Sequence, residues 1–195
     1  MTSGIPGPTP LPESHLDSSI VASRLPERVT WAVDQLRVRP TDHVLEIGCG
    51  NGVAASLICA RLTTGHLTAI DRSATAIAAA RKRLGEHLDA GRVSLLAGSL
   101  AGATLRAREF DRALAVNVNV FWRDPEAELE VLARAMKPNG LLCLVYQPPR
   151  GSPIDRVVDG CSRHLHEQGF KRVRSHTRAG APETLVCISA KAART

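Results

Sequence analysis

Nine consecutive residues, Val44-Leu45-Glu46-Ile47-Gly48-Cys49-Gly50-Asn51-Gly52, could hold a small ligand: a branched apolar run, a carboxylate, then three glycines at alternate positions. The composition of Ala54 to Leu62 favours a helix, so the glycines stand where a strand hands over to a helix. Glycine there permits positive φ and lets the main chain approach a ligand that any Cβ would push away. A helix start also presents N–H groups that have no intrahelical partner. Two phosphate-binding loops are excluded by spacing. A dinucleotide fingerprint begun at Gly48 and Gly50 needs a third glycine at position 53, which is Val53. A P-loop needs Gly-Lys-Ser/Thr after its spacer, and no lysine follows here.

A second acid falls at a telling distance. His66-Leu67-Thr68-Ala69-Ile70-Asp71 reads as a short apolar strand ending in a carboxylate, about 20 residues beyond the glycines, the separation of a strand–helix–strand unit that delivers an acid to ribose hydroxyls. A carboxylate accepts two hydrogen bonds from a vicinal diol. Asp71 could equally cap the helix expected over Ala74 to Leu84, as could Ser73. The two roles are compatible.

The run Glu46-x-Gly48-x-Gly50-x-Gly52 resembles the first motif of the class I S-adenosylmethionine-dependent methyltransferases. The resemblance implies that the glycine loop (Gly48, Cys49, Gly50, Gly52) passes beneath the methionine and ribose of S-adenosylmethionine. It also implies that Glu46 helps to hold the aminoacyl part, and that Asp71, with Arg72 beside it, takes the ribose. Cys49 itself reads as a small packing residue, since nothing nearby in sequence would form its thiolate. Where the family usually places an acid for the adenine amino group this chain has Ser99, which offers neither charge nor a second oxygen, and Leu100 is placed to cover one face of the ring. Asn117 could offer its side chain or carbonyl to the amino end of the cofactor.

The stretch Asn117 to Pro125, with Leu132 to Gly140, looks like the small-molecule branch of the family. Phe121 and Trp122 are then candidates to line the substrate cavity, with packing as their alternative role. Asn139 replaces the first glycine of the last turn, a mild change because Asn tolerates positive φ. Asp124-Pro125 most simply starts a helix, with Asp124 capping it and without a catalytic role. The implied chemistry is methyl transfer by in-line displacement to an O, N or C nucleophile of a metabolite or natural product, which alignment chiefly promotes. A general base is needed only for a hydroxyl or ammonium nucleophile. His15 and Tyr146 are weak candidates, and the sequence identifies no catalytic base.

The elements that must carry these residues alternate. Strands are expected over 92–97, 110–116 and 141–146, and helices over 126–136 and 154–168. Two strand-like runs, 170–178 and 183–192, are joined as a hairpin by Ala179-Gly180-Ala181-Pro182. The expected fold is α/β: a doubly wound, seven-stranded, mostly parallel sheet with the last strand antiparallel and helices on both faces. The resemblance covers about Leu25 to Ala192. The 195 residues suit one compact domain over 25–195, preceded by a Pro- and Gly-rich segment over 1–24 that reads as flexible and could serve as an active-site flap.

Composition bounds the partners. The start lacks the features of a secretory signal, and no apolar run approaches a membrane span. Five scattered cysteines (Cys49, Cys59, Cys143, Cys161, Cys187) show no zinc spacing and no disulfide framework, so a cytoplasmic, reduced, metal-free protein is expected. A homodimer is left open. The net charge of +6, with Lys171, Arg172, Arg174, Arg178, Lys191 and Arg194 near the C-terminus, raises an RNA methyltransferase as an alternative. Against it, only Phe170 accompanies those cations, and strand alternation is expected to divide them between two faces. A third reading is a subunit that binds the cofactor without turning it over.

Overall fold

The computed structural model describes residues 25–149, 153–178 and 184–193. The expected flap at 1–24, with His15, and the whole hairpin turn expected at 179–182 lie outside the described residues. Seven strands form one sheet: β1 His43–Ile47, β2 His66–Asp71, β3 Val93–Ala97, β4 Phe110–Val116, β5 Met136–Tyr146, β6 Lys171–Arg178 and β7 Leu185–Lys191. Their order is β3-β2-β1-β4-β5-β7-β6. Pairings are parallel except that β7 runs antiparallel to both β5 and β6, as the residue pattern predicts.

Helices α1 Glu27–Leu36, α2 Val53–Cys59, α3 Ala74–Arg83, α4 Gly85–Asp89, α5 Glu126–Ala135 and α6 Ile154–Glu167 cover the sheet. Strand alternation divides the core in two. Val44, Leu67 and Cys143 face one way and pack with Trp31, Leu36, Ile58 and Leu84 of the helices α1 to α3 and the residue that ends them. Leu45, Ile47, Phe110 and Leu144 face the other way and pack with Phe121, Leu129, Leu132 and Phe170. Glu46, between Leu45 and Ile47, therefore shares the α1–α3 face with Val44.

Three element ends differ from expectation. Helix α2 stops at Cys59, and Leu62 packs beyond its end in the α1–α3 core. Strand β5 begins at Met136 rather than Leu141. Its partner register shifts between Phe110↔Met136 and Arg112↔Leu141, so the expected Lys137–Gly140 turn is a bulge inside the strand, with Asn139 at φ 61°. Helix α5 has Pro125, not Asp124, at its N-cap, with no side-chain capping bond. Ser73 does cap α3, its Oγ accepting from Ala76 N at 3.2 Å.

Candidate functional site

Chain order reverses between β1 and β4: the chain winds outward from β1 to β3, then returns to lay β4 on the other side of β1. The carboxyl ends of the strands part at such a switch and leave a crevice. A cavity of about 630 Å³ lies there, walled by Gly48 after β1, Asp71 of β2, Ser99 after β3 and Asn117 after β4. Arg72 and Leu100 also line it. Six of the expected cofactor residues thus come together from four separate strand ends.

The glycine loop provides space more than donors. Gly48 sits at φ 71°, and a Cβ on it would lie 2.7 Å from Val118 Cγ2. Gly50 sits at φ 54°, and a Cβ there would have no atom within 4 Å, so its outer side is open. The expected free N–H groups are largely used within the fold. Gly48 and Cys49 donate to Ile70 O, and Gly52 donates to Cys49 O. Gly50 N donates to Asp71 Oδ2 at 2.8 Å. The other Asp71 oxygen accepts from Ser73 N at 2.9 Å. Asp71 therefore ties the loop to the start of α3, and each of its oxygens keeps acceptor capacity for a diol.

Glu46 is the electrostatic anomaly. It is 3% exposed, and its Oε2 is buried without a hydrogen-bond partner among the described residues. Burial, aided by repulsion from Asp71, pushes its pKa up to about 8. A buried, unpaired carboxyl costs free energy unless a donor or cation reaches it. S-adenosylmethionine, the cofactor that the resemblance implies, carries an ammonium, a ribose diol and an adenine. An orphaned carboxyl, a glycine with open space above it and a second carboxylate one strand away match that set. Glu46 would take the aminoacyl end, Asp71 the ribose, and Ser99 with Leu100 the adenine. Ser99 Oγ accepts from Gly102 N at 3.2 Å, leaving its O–H to donate to a ring nitrogen. Leu100 is 3% exposed and flanks that end of the cavity.

A second cavity of about 380 Å³ adjoins the first. Asn117 and Asn119 line both. Trp122, Tyr146, Gln147, Pro148, Pro153 and Arg156 also line it. Asn117 holds an αL conformation at φ 57° and accepts Gln147 N on its Oδ1 at 2.9 Å. Its side chain therefore braces β4 against the chain leaving β5. Trp122 is flanked by two guanidiniums, Arg123 at 4.7 Å and Arg156 at 5.6 Å from the ring centroid.

Several expected roles are corrected. Phe121 is 1% exposed and packs in the α5–α6 core, so it lines neither cavity; only its neighbour Trp122 does. On the 3-10 turn over Asn119–Trp122, Phe121 is fully buried while Trp122, half-buried against the same core, also lines the second cavity. Tyr146 is not placed as a base: its hydroxyl donates to Val118 O at 2.8 Å, and burial raises its pKa well above the usual phenol range. Cys49 contributes its backbone, while burial pushes its thiol up to about 12. All five cysteines are free and buried, and no metal-binding cluster occurs among the described residues. Sequence reasoning missed Val118, Asn119, Gln147 and Arg156. The long Asn117–Pro125 run signalled the first two; Gln147 and Arg156 carry no local pattern and meet it only through β5 pairing and α6 packing.

The comparisons agree with this geometry. A family profile described as "Methyltransferase domain" matches residues 44–140, the span from β1 to the bulge of β5. An uncharacterized methyltransferase, YdaC, of Bacillus subtilis is 27% identical over 165 residues, covering 83% of this chain and 89% of the relative. The structure of an S-adenosylmethionine-dependent methyltransferase from Aquifex aeolicus superimposes with a TM-score of 0.68 at 18% identity, covering 84% of this chain and 89% of that one. Geranyl diphosphate C-methyltransferase of Streptomyces coelicolor A3(2), solved with S-adenosyl-L-homocysteine, gives a TM-score of 0.68 at 13% identity, with 85% and 75% covered.

Proposed function

This chain belongs to the class I S-adenosylmethionine-dependent methyltransferases, and we propose that it methylates a small-molecule acceptor seated in the cavity beside Trp122. The observation that carries the reading is the shared wall: Asn117 and Asn119 bound both cavities, so a ligand in one abuts a ligand in the other. When bound, the cofactor supplies an electrophilic methyl group on a sulfonium. The residues of this chain hold and align. Glu46 fixes the aminoacyl end of the cofactor and Asp71 its ribose, Trp122 and the prolines take the apolar body of the acceptor, and Asn117 and Asn119 set the distance between the two ligands.

Among the described residues, the second cavity offers no general base: its titratable lining groups are Tyr146, whose proton is committed, and Arg156. We infer that the acceptor brings a nucleophile already ionised near neutral pH, a carboxylate or an acidic phenol, which Arg156 attracts. An ionised nucleophile needs no proton abstraction, and positioning can supply about 7–11 kcal/mol of the barrier. Labelled methyl transfer to carboxylic acids, acidic phenols and alkylamines tests this. Transfer to the first two classes supports the reading; transfer confined to amines or to RNA overturns it.

A further inference from the structure

We propose that a basic groove at the opposite end of the sheet, far from the glycine loop, binds a compact polyphosphate. The groove, of about 1020 Å³, lies toward the amino-terminal ends of β4 and β5. Six cations line it: Arg37 after α1, Arg39 before β1, Arg112 of β4, Arg172 and Arg174 of β6 and Lys191 of β7. Alternation was expected to scatter the C-terminal cations between two faces. In the structure Arg172 and Arg174, two positions apart in β6, reach the same concavity as Lys191, while Lys171 and Arg178 do not line it.

The cations are not neutralised in place. Arg112 pairs with Asp42 at 2.9 Å. The other five have no ion-pair partner among the described residues, and no carboxylate lines the groove. Burial first, then repulsion from Arg112, Arg39 and Arg172, lowers the Lys191 pKa. A solvated basic face spreads its charges outward; here they converge from five parts of the chain onto one hollow, where a multivalent anion would relieve their repulsion.

The arrangement favours a compact anion over a strand. Single-stranded nucleic acid needs a track of cations with successive stacking rings. This groove has one ring on its wall, His176, and Trp31 already stacks against it at 5.9 Å. Several phosphates on one small molecule match the convergent guanidiniums better. A nucleoside polyphosphate and a bare phosphate chain share that chemistry.

Calorimetric titration of the full chain with ATP and with tripolyphosphate, in about 0.15 M salt, is the test. We expect both probes to bind one per chain. R172Q/R174Q should weaken both at least about ten-fold, with affinity for S-adenosyl-L-homocysteine unchanged as the control for folding. Tighter binding of ATP than of tripolyphosphate assigns a nucleotide; equal binding assigns the phosphate chain alone. Failure of both probes to bind, or binding unchanged in R172Q/R174Q, overturns the proposal. So does a single-stranded RNA of about ten nucleotides that binds far more tightly than tripolyphosphate.

Discussion

Replacing Glu46 by Gln should uncouple cofactor affinity from pH. The Glu46 carboxyl is buried, its Oε2 lacks a partner, and its pKa stands at about 8 instead of 4.5. In the free protein at pH 7 it is therefore about nine-tenths protonated. A cofactor ammonium brought to that carboxyl favours the ionised form, so binding expels a proton. Affinity should then rise nearly ten-fold between about pH 6 and 7, or roughly 1.4 kcal/mol. It should flatten above about pH 7.7, where an α-amino group loses its own charge. Calorimetry in two buffers of different ionisation enthalpy reads the released proton directly: close to one for the natural protein at pH 7, none for Glu46→Gln. The free protein gives an independent check. Below about pH 4.5 folded and unfolded chains both hold this proton. Between 4.5 and 8 the unfolded chain loses it while the folded chain keeps it, so stability falls as pH rises. By pH 7 that loss amounts to about 3 kcal/mol, which Glu46→Gln should recover in denaturant melts. An affinity that ignores pH in the natural protein, or an equal slope in Glu46→Gln, would refute the reasoning.

Three further outcomes follow from the geometry. Asp71→Ala should weaken S-adenosyl-L-homocysteine binding by more than about ten-fold, because it removes the diol acceptor and releases Gly50 N; unchanged calorimetric affinity would sink the ribose assignment. Gly50→Val should abolish binding by filling the space above the loop while costing only about 1–2 kcal/mol of stability for its positive φ, so a folded variant that still binds contradicts the close approach. Tyr146→Phe should cost about 1–3 kcal/mol of stability by orphaning Val118 O and leave the pH–rate profile unmoved, whereas a lost basic limb would restore Tyr146 as a base.

The chemistry-bearing turn was legible in the sequence because local rules decide it. Glu46, the glycines and Asp71 are fixed by one strand–turn–helix–strand unit, whose spacing is set by the length of a single crossover. Seven strands and the reversed last one were legible for the same reason, since apolar runs and helical runs alternate. What the sequence hid depends on packing between distant elements. Phe121 and Trp122 look alike in a chain with six aromatics; only the 3-10 turn and the contact with α6 send one inward and leave the other in the cavity. Tyr146 offered a phenol at a strand end, and its commitment to Val118 O rests on the main-chain path after β4. Arg172 and Arg174, two positions apart in β6, share a face as alternation dictates, whereas Lys171 and Arg178 lie outside the groove; their meeting with Arg37, Arg39 and Arg112 depends on packing that no local pattern shows.

Glu46 and Asp71 are both acids at the carboxyl ends of adjacent strands, yet the fold treats them differently. Asp71 sits half-buried and accepts two main-chain N–H groups, from Gly50 and Ser73. Glu46 sits one strand inward with an oxygen that nothing satisfies, and the Asp71 charge adds to its burial in keeping it neutral. Asp71 thus braces the glycine loop, while Glu46 is held neutral by burial and by Asp71 and, on the proposed reading, ionises when the cofactor's ammonium reaches it. On that reading the glycine loop can spend its own N–H groups internally, because recognition of a cationic cofactor needs acceptors, which the two carboxyls would supply. The same reading predicts a preference by charge: a neutral thioether lacking the ammonium would leave Glu46 protonated and its buried oxygen still unpaired, and should bind more weakly.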